Sequence, residues 1–213
     1  MDTPTLELFH YWRSSCSWRV RWALALKGLP YKSTPINLLK KEQSDLSFLK
    51  INPSGQVPAL SVNGKILSES IAILEWLEET FPISPLLPKD PWLRAEIRSY
   101  CAMIASGIQP VTNLRITGYY SNDPEKKAEW ARHFMDEGFI PVETMLRKNA
   151  GTWSFGETFS MADLFLVPQV YNAHRFAVDM SRFPLAQAIY ERSLKTAACD
   201  QAAPHNQPGA VNA

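Results

Sequence analysis

The three cysteines of this 213-residue chain, Cys16, Cys101 and Cys199, stand far apart and form neither a CxxC pair nor a metal-ligand spacing. That argues against a dithiol redox centre and a cysteine-bound metal, and leaves free thiols of the kind expected in the cytoplasm. No apolar run reaches the ~20 residues of a membrane span. The opening MDTPTLELFHYW lacks the basic start and apolar stretch of a secretory signal, so a cytoplasmic location is expected. Neither sign of charge is in excess: 22 Lys and Arg against 21 Asp and Glu leave a net +1. Bulk electrostatics therefore gives no reason to expect nucleic acid or an anionic membrane as partner. No internal repeat is visible, and 46% hydrophobic with 20% charged residues is an ordinary globular composition.

What is present divides at a proline-rich connector. PISPLLPKDP, residues 82–91, holds four prolines in ten positions, the texture of a domain boundary. Upstream, LELFHY (6–11) has strand character, and SWRVRWALALK (17–27) has helical spacing that stops at Gly28. YKSTPINL (31–38) reads as a second strand, with Pro35 marking an edge or its end. SDLSFLKIN (44–52) is a candidate short helix. VPALSV and KIL flank Asn63-Gly64, a pair that favours the type I′ hairpin turn because both positions need positive φ. SESIAILEWLEETF (68–81) closes the region as an amphipathic helix. A βαβ unit followed by ββα is the order of a thioredoxin-like sheet.

Downstream, strand signals vanish and helices are expected at 92–118, 124–148, 160–176 and 185–197. The reading is an α/β thioredoxin-like N-terminal domain over 1–82, a linker over 83–91 and an all-α C-terminal domain over 92–198. The final CDQAAPHNQPGAVNA, residues 199–213, is polar, aperiodic and proline-containing, and is expected to be a poorly ordered tail. Within FSMADL (159–164), Ser160 is a helix N-cap and Asp163, three residues on, completes a capping box flanked by Phe159 and Leu164. Asp163 is accordingly read as part of a helix start rather than as a catalytic acid.

The chemistry concentrates in SSCSWRVRWALALKG, residues 14–28. In a thioredoxin-like domain the loop after the first strand opens onto the first helix, whose free N–H groups and positive pole stabilise a thiolate. Ser14, Ser15 and Cys16 stand at that point, and the second cysteine that disulfide exchange would need is missing. A serine hydroxyl there either caps the helix or donates to the thiolate of a ligand. Val57-Pro58, with the proline in cis, would leave the Val57 backbone to pair with an extended peptide. Glu69 and Ser70 open another helix, an N-terminus suited to a carboxylate. Thiol, peptide backbone and amino-acid head group, in that order, are the layout of glutathione.

At this point the chain resembles the zeta class of glutathione transferases, the class that includes maleylacetoacetate isomerase. The resemblance is carried by SSCSWRVRWALALKG, YKSTPINLLK, NPSGQVPAL, LLPKDPWLRAEIR, IASGIQPVTNL and MADLFLVPQVYNAHRF, in family order over most of residues 5–185. It implies a homodimer of the glutathione transferase fold, with glutathione as cofactor and a small anionic enedione acid as substrate. Matched by position, Ser14, Ser15 and Cys16 lie at the glutathione sulfur, and Arg19, Gln43, Gln56, Val57, Glu69 and Ser70 in the glutathione site. Gln109 and Asn113 fall at second-domain positions that reach the ligand, and Arg175 matches an arginine that holds an anionic substrate. The implied reaction is cis–trans isomerisation by thiolate addition, rotation and elimination.

The family often has Gln where this chain has Glu69, whose carboxylate can pair with the ammonium of the γ-glutamyl group. Arg115 replaces a small polar residue, and His174 beside Arg175 reads as a helix-surface residue. Arg13, Arg19 and Arg21 could add positive field to the site, with a solvated or ion-paired helix position as the favoured reading of Arg21. The leading expectation is conversion of maleylacetoacetate to fumarylacetoacetate in tyrosine and phenylalanine breakdown. Isomerisation of maleylpyruvate, glutathione transfer to α-haloacids and a non-catalytic binding module are the alternatives.

Overall fold

The computed structural model describes residues 4–210, so the ends of the predicted first domain and tail, 1–3 and 211–213, lie outside the described residues. In chain order the elements are β1 (Leu6–His10), α1 (Ser15–Leu26), β2 (Lys32–Pro35), α2 (Leu46–Leu49), β3 (Ala59–Val62), β4 (Lys65–Ser68) and α3 (Ser70–Thr80). There follow α4 (Pro91–Ala102), a π-helical segment (Met103–Ile108), α5 (Leu114–Tyr120), α6 (Pro124–Asn149), α7 (Met161–Arg175), α8 (Pro184–Ser193) and α9 (Ala197–Ala202). The chain separates into two compact units, one ending at Ser84 and resumed at Thr196, the other running from Pro85 to Lys195.

The first unit is built on a four-stranded sheet in the order β2-β1-β3-β4. β1 pairs parallel with β2 and antiparallel with β3, and β3–β4 form the hairpin. Asn63 and Gly64 turn that hairpin with φ of 49° and 83°, as the type I′ signal requires. Pro35 ends the edge strand β2, where a missing N–H costs no ladder bond. Behind the sheet, α1 is buried on nearly every side, from Trp18, Val20 and Trp22 to Ala23 and Leu24. It ends in a Schellman arrangement: Gly28 (φ 62°) donates to Ala25 O at 3.1 Å and Leu29 to Leu24 O at 2.9 Å. Lys27 then inserts its ammonium among Glu78 Oε2 at 3.1 Å and the carbonyls of Phe81, Ile83 and Ser84, tying α1 to the end of α3.

Two expectations are corrected inside this unit. The stretch from residue 199 is not a loose tail over its described length: it opens within α9, packed on α1, with Cys199, Ala202 and Ala203 buried. Burial pushes the Cys199 thiol up to about 12. Polar composition hid this because only a few small apolar residues carry the contact. Nor is Arg21 solvated or ion-paired. It is 1% exposed, and its guanidinium donates to the carbonyls of Tyr11, Trp12 and Ala202.

His10 lies beside it, fully buried, with Nδ1 3.3 Å from Arg21 Nη1 and Nε2 2.7 Å from Ser33 Oγ. A guanidinium only donates, so Nδ1 accepts and the neutral ring carries its proton on Nε2. Burial, aided by the Arg21 charge, pulls its pKa from 6.5 down to about 3. The unfolded chain binds this proton and the folded chain refuses it, so the stability tied to neutral His10 is complete above 6.5 and is lost as pH falls towards 3. Between about pH 7 and about pH 5, the wild type should lose about 2 kcal/mol relative to His10→Gln. Urea midpoints of the two proteins at both pH values measure this; parallel curves would refute it.

The second unit is helical. The single helix expected over 92–118 is interrupted: α4 widens into the π-helical segment, where Gln109 N donates to Ile104 O at 3.0 Å. Pro110 has no N–H to continue the ladder, and Asn113 caps a fresh start at α5. The helix expected over 185–197 likewise breaks between Ser193 and Ala197, and its last residues belong with the first unit. Asp163 forms the expected capping box at the head of α7. Its carboxylate accepts from Ser160 N at 2.8 Å and also from Ser154 N at 2.9 Å. Among the described residues no helix is long and apolar enough to cross a membrane.

Candidate active site

Ser14 is the N-cap of α1. Its Oγ accepts from Ser17 N at 3.2 Å, and its own N–H donates to Tyr11 O at 3.1 Å. A hydroxyl that accepts in this way keeps its hydrogen to donate elsewhere, so capping and thiolate stabilisation are compatible in one side chain. Ser15 and Cys16 are the first two helical residues, and the first turn contains no acidic side chain to oppose an anion. Ser15 is buried, whereas Cys16 is half-buried and in no disulfide.

Arg19 lies one turn further on and is fully buried. Its Nη1 is 3.6 Å from Cys16 Sγ and 3.3 Å from Ser70 Oγ, so one guanidinium touches both helix starts. Ser70 begins α3 behind Glu69, whose φ of 68° and ψ of 118° are uncommon for a residue with a side chain. Such a conformation costs about 1–3 kcal/mol and persists only where the surroundings enforce it. The Glu69 side chain makes no capping bond and its residue is exposed, leaving the carboxylate for another role.

Between these helix starts run two loops. Gln43 lies in the short helical turn Glu42–Ser44, with its Oε1 buried and lacking a hydrogen-bond partner among the described residues. A Cβ at Gly55, where φ is 62°, would come within 3.2 Å of the Gln43 carbonyl oxygen, so the two loops approach as closely as glycine permits. Asn52 Nδ2 holds the Gln56 carbonyl at 2.8 Å, and the Val57–Pro58 peptide is cis. Val57 packs on the Phe9, Phe48 and Ala59 cluster beneath.

In the second unit, Gln109 closes the π-helical segment and Asn113 spends its Oδ1 on the N–H of Arg115 at 2.9 Å. Arg175, in the last turn of α7, is exposed. It lies over the Phe176 ring at 5.4 Å and donates to Asn172 Oδ1 at 3.0 Å. His174 stacks near Tyr190, with ring centres 5.3 Å apart. The roles of Arg21 and Asn52 escaped the sequence reading. The apolar residues crowding Arg21 in WRVRWALAL were the available signal for its burial.

The profile of the glutathione S-transferase N-terminal domain matches residues 13–80. The maleylacetoacetate isomerase of Dictyostelium discoideum is 45% identical over 208 residues, 95% of this chain and 95% of that protein. A holo structure of a maleyl pyruvate isomerase, a bacterial zeta-class glutathione S-transferase, superimposes with a TM-score of 0.93 at 37% identity, covering 96% of this chain and 100% of that one. The maleylacetoacetate isomerase of Anaeromyxobacter dehalogenans with glutathione bound in its active site does so at 0.89 and 41% identity, covering 99% and 100%. The likeness runs through both units, and the chain belongs to the zeta-class glutathione transferase family that includes the maleylacetoacetate isomerases.

Proposed function

We propose that this chain is a glutathione-dependent isomerase that converts maleylacetoacetate to fumarylacetoacetate, a step of tyrosine and phenylalanine breakdown. The observation that carries the reading is the Ser14 hydroxyl, which accepts from Ser17 N and keeps its hydrogen to donate at the N-terminus of α1. Gln43 fits the same ligand, since its buried Oε1 suits an N–H of a peptide backbone. Bound glutathione supplies a thiolate that adds to the cis double bond, permits rotation and leaves again, so it is regenerated.

The chain's own residues do the rest. Ser14, with Ser15 and Cys16 beside it, holds the thiolate by hydrogen bonding and by the helix pole, which lowers the cost of ionising it. Gln56, Val57 and Gln43 hold the peptide portion, while Ser70 and the Glu69 carboxylate take the amino-acid head group. Gln109 and Asn113 complete the ligand site, and Arg175 pairs with a substrate carboxylate. Arg19 acts through Cys16 and Ser70 rather than by touching the ligand, because it is fully buried. A homodimer in the cytoplasm belongs to the same reading, and light scattering on the purified protein tests the dimer.

Maleylpyruvate isomerisation is the second reading, favoured by the likeness to the maleyl pyruvate isomerase. Assays of both acids, each with and without glutathione, separate the two. Turnover is expected only with glutathione and faster with maleylacetoacetate. A protein that binds glutathione and isomerises neither acid would end the isomerase reading.

A further inference from the structure

Arg21 uses its planar guanidinium to gather groups from three separate parts of the first unit. Nε donates to Ala202 O at 2.9 Å, Nη2 to Trp12 O at 3.0 Å, and Nη1 to Tyr11 O at 3.3 Å, with His10 Nδ1 also 3.3 Å from Nη1. No carboxylate faces it in these bonds. Three carbonyl dipoles and an imidazole lone pair compensate the buried charge. Burial lowers its pKa to about 9, so it remains cationic at neutral pH.

The acceptors are informative. Ala202 is the last residue of α9, where the helix itself offers its carbonyl no donor and the helix pole is negative. Tyr11 and Trp12 form the loop that delivers Ser14. The Tyr11 carbonyl receives Ser14 N at 3.1 Å as well as the Arg21 guanidinium, so the thiol-binding serine is two hydrogen bonds from the guanidinium's core and three from α9.

We propose that Arg21 and the carboxyl end of α9 together position the β1–α1 loop, so that the C-terminal segment sets the geometry in which Ser14 meets the glutathione sulfur. The inference rests on the glutathione reading above and names Arg21 as a positioning residue, not a catalytic one. A guanidinium holds several carbonyls in fixed directions at once, whereas an ammonium in its place can satisfy only part of the set.

The test uses the full chain and two variants that act from opposite sides. Arg21→Lys keeps the charge and loses the fork. Ala202→Arg leaves Arg21 in place and drives α9 off by bulk and like charge. Glutathione is the probe, followed by its ultraviolet thiolate absorbance against pH on each protein, with steady-state kinetics alongside. Wild type should ionise bound glutathione near neutral pH. Both variants should raise the apparent thiol pKa by about one unit and lower kcat about tenfold, with a smaller change in KM for glutathione. If wild type ionises glutathione and Ala202→Arg, folded by circular dichroism, matches it in pH profile and kcat, the proposal is overturned and α9 only adds stability. Should Arg21→Lys fail to fold, Ala202→Arg alone decides between these outcomes. Failure of wild type to ionise glutathione would instead overturn the functional reading, and the inference with it.

Discussion

Ser14→Gly is expected to lower kcat for glutathione-dependent isomerisation by about 10²- to 10³-fold, the usual cost of deleting a donor aimed at an anion. Glycine is the informative choice because Ser14 also caps α1. Alanine at an N-cap costs about 1 kcal/mol, whereas glycine costs only a few tenths. The glycine variant thus removes the hydroxyl while leaving the helix start nearly as stable. Thermal melting should stay close to wild type as turnover collapses, and the thiolate absorbance of bound glutathione should move to higher pH. Cys16→Ala should lower turnover less, since the thiol stands beside the proposed donor rather than in its place. Wild-type turnover in Ser14→Gly would assign thiol activation to Ser15 or Cys16.

Asp163→Ala should be the most destabilising single substitution tested. The residue is fully buried, and its carboxylate receives Ser154 N at 2.9 Å, Ser160 N at 2.8 Å and Ser160 Oγ at 3.3 Å. Removing it strands three buried donors, each costing about 1–3 kcal/mol when unsatisfied. A loss of about 3–5 kcal/mol, or on the order of 10 °C in melting temperature, is expected for a chain of this size. Burial also raises the Asp163 pKa above 3.8 despite those hydrogen bonds. For such a group the folded state prefers the proton, so its contribution is complete below 3.8 and is lost as pH rises through the folded value. Asp163→Asn avoids the buried charge and should therefore cost less than alanine, with its deficit against wild type narrowing as pH rises. A melting temperature for Asp163→Ala within a degree or two of wild type would show that Ser154 and Ser160 find other acceptors.

Elements governed by local rules were legible before any coordinates. Asn63-Gly64 admits one kind of tight turn, Pro35 can only end or edge a strand, and Ser160 with Asp163 is complete as a capping box within four residues. Ser14 belonged to the same group, because an N-cap is recognised from its neighbours. The break in the long helix after Ile108 was less visible, since Pro110 and Asn113 sit in an otherwise helical pattern whose periodicity continues across them. The cis peptide at Val57–Pro58 was legible from its local sequence, whereas the partners of Arg21, far along the chain, were not.

By itself the sequence determined which residues could carry thiol chemistry: a serine-rich helix start with Cys16 in it and no second cysteine at CxxC spacing. It also determined the order of strands and helices over residues 6–81, because that order follows from periodicity and turn residues along the chain. Only the tertiary structure decided where the buried cations go. Arg19 spans Cys16 and Ser70, 51 residues from the latter, and Arg21 reaches Ala202, 181 residues away. A guanidinium's partners are fixed by which carbonyls folding leaves unpaired within its reach, and no local pattern encodes that. The described residues from 199 onward show the same thing: polar in composition, they pack on α1 through a few small apolar residues, and their helix end meets a buried positive charge.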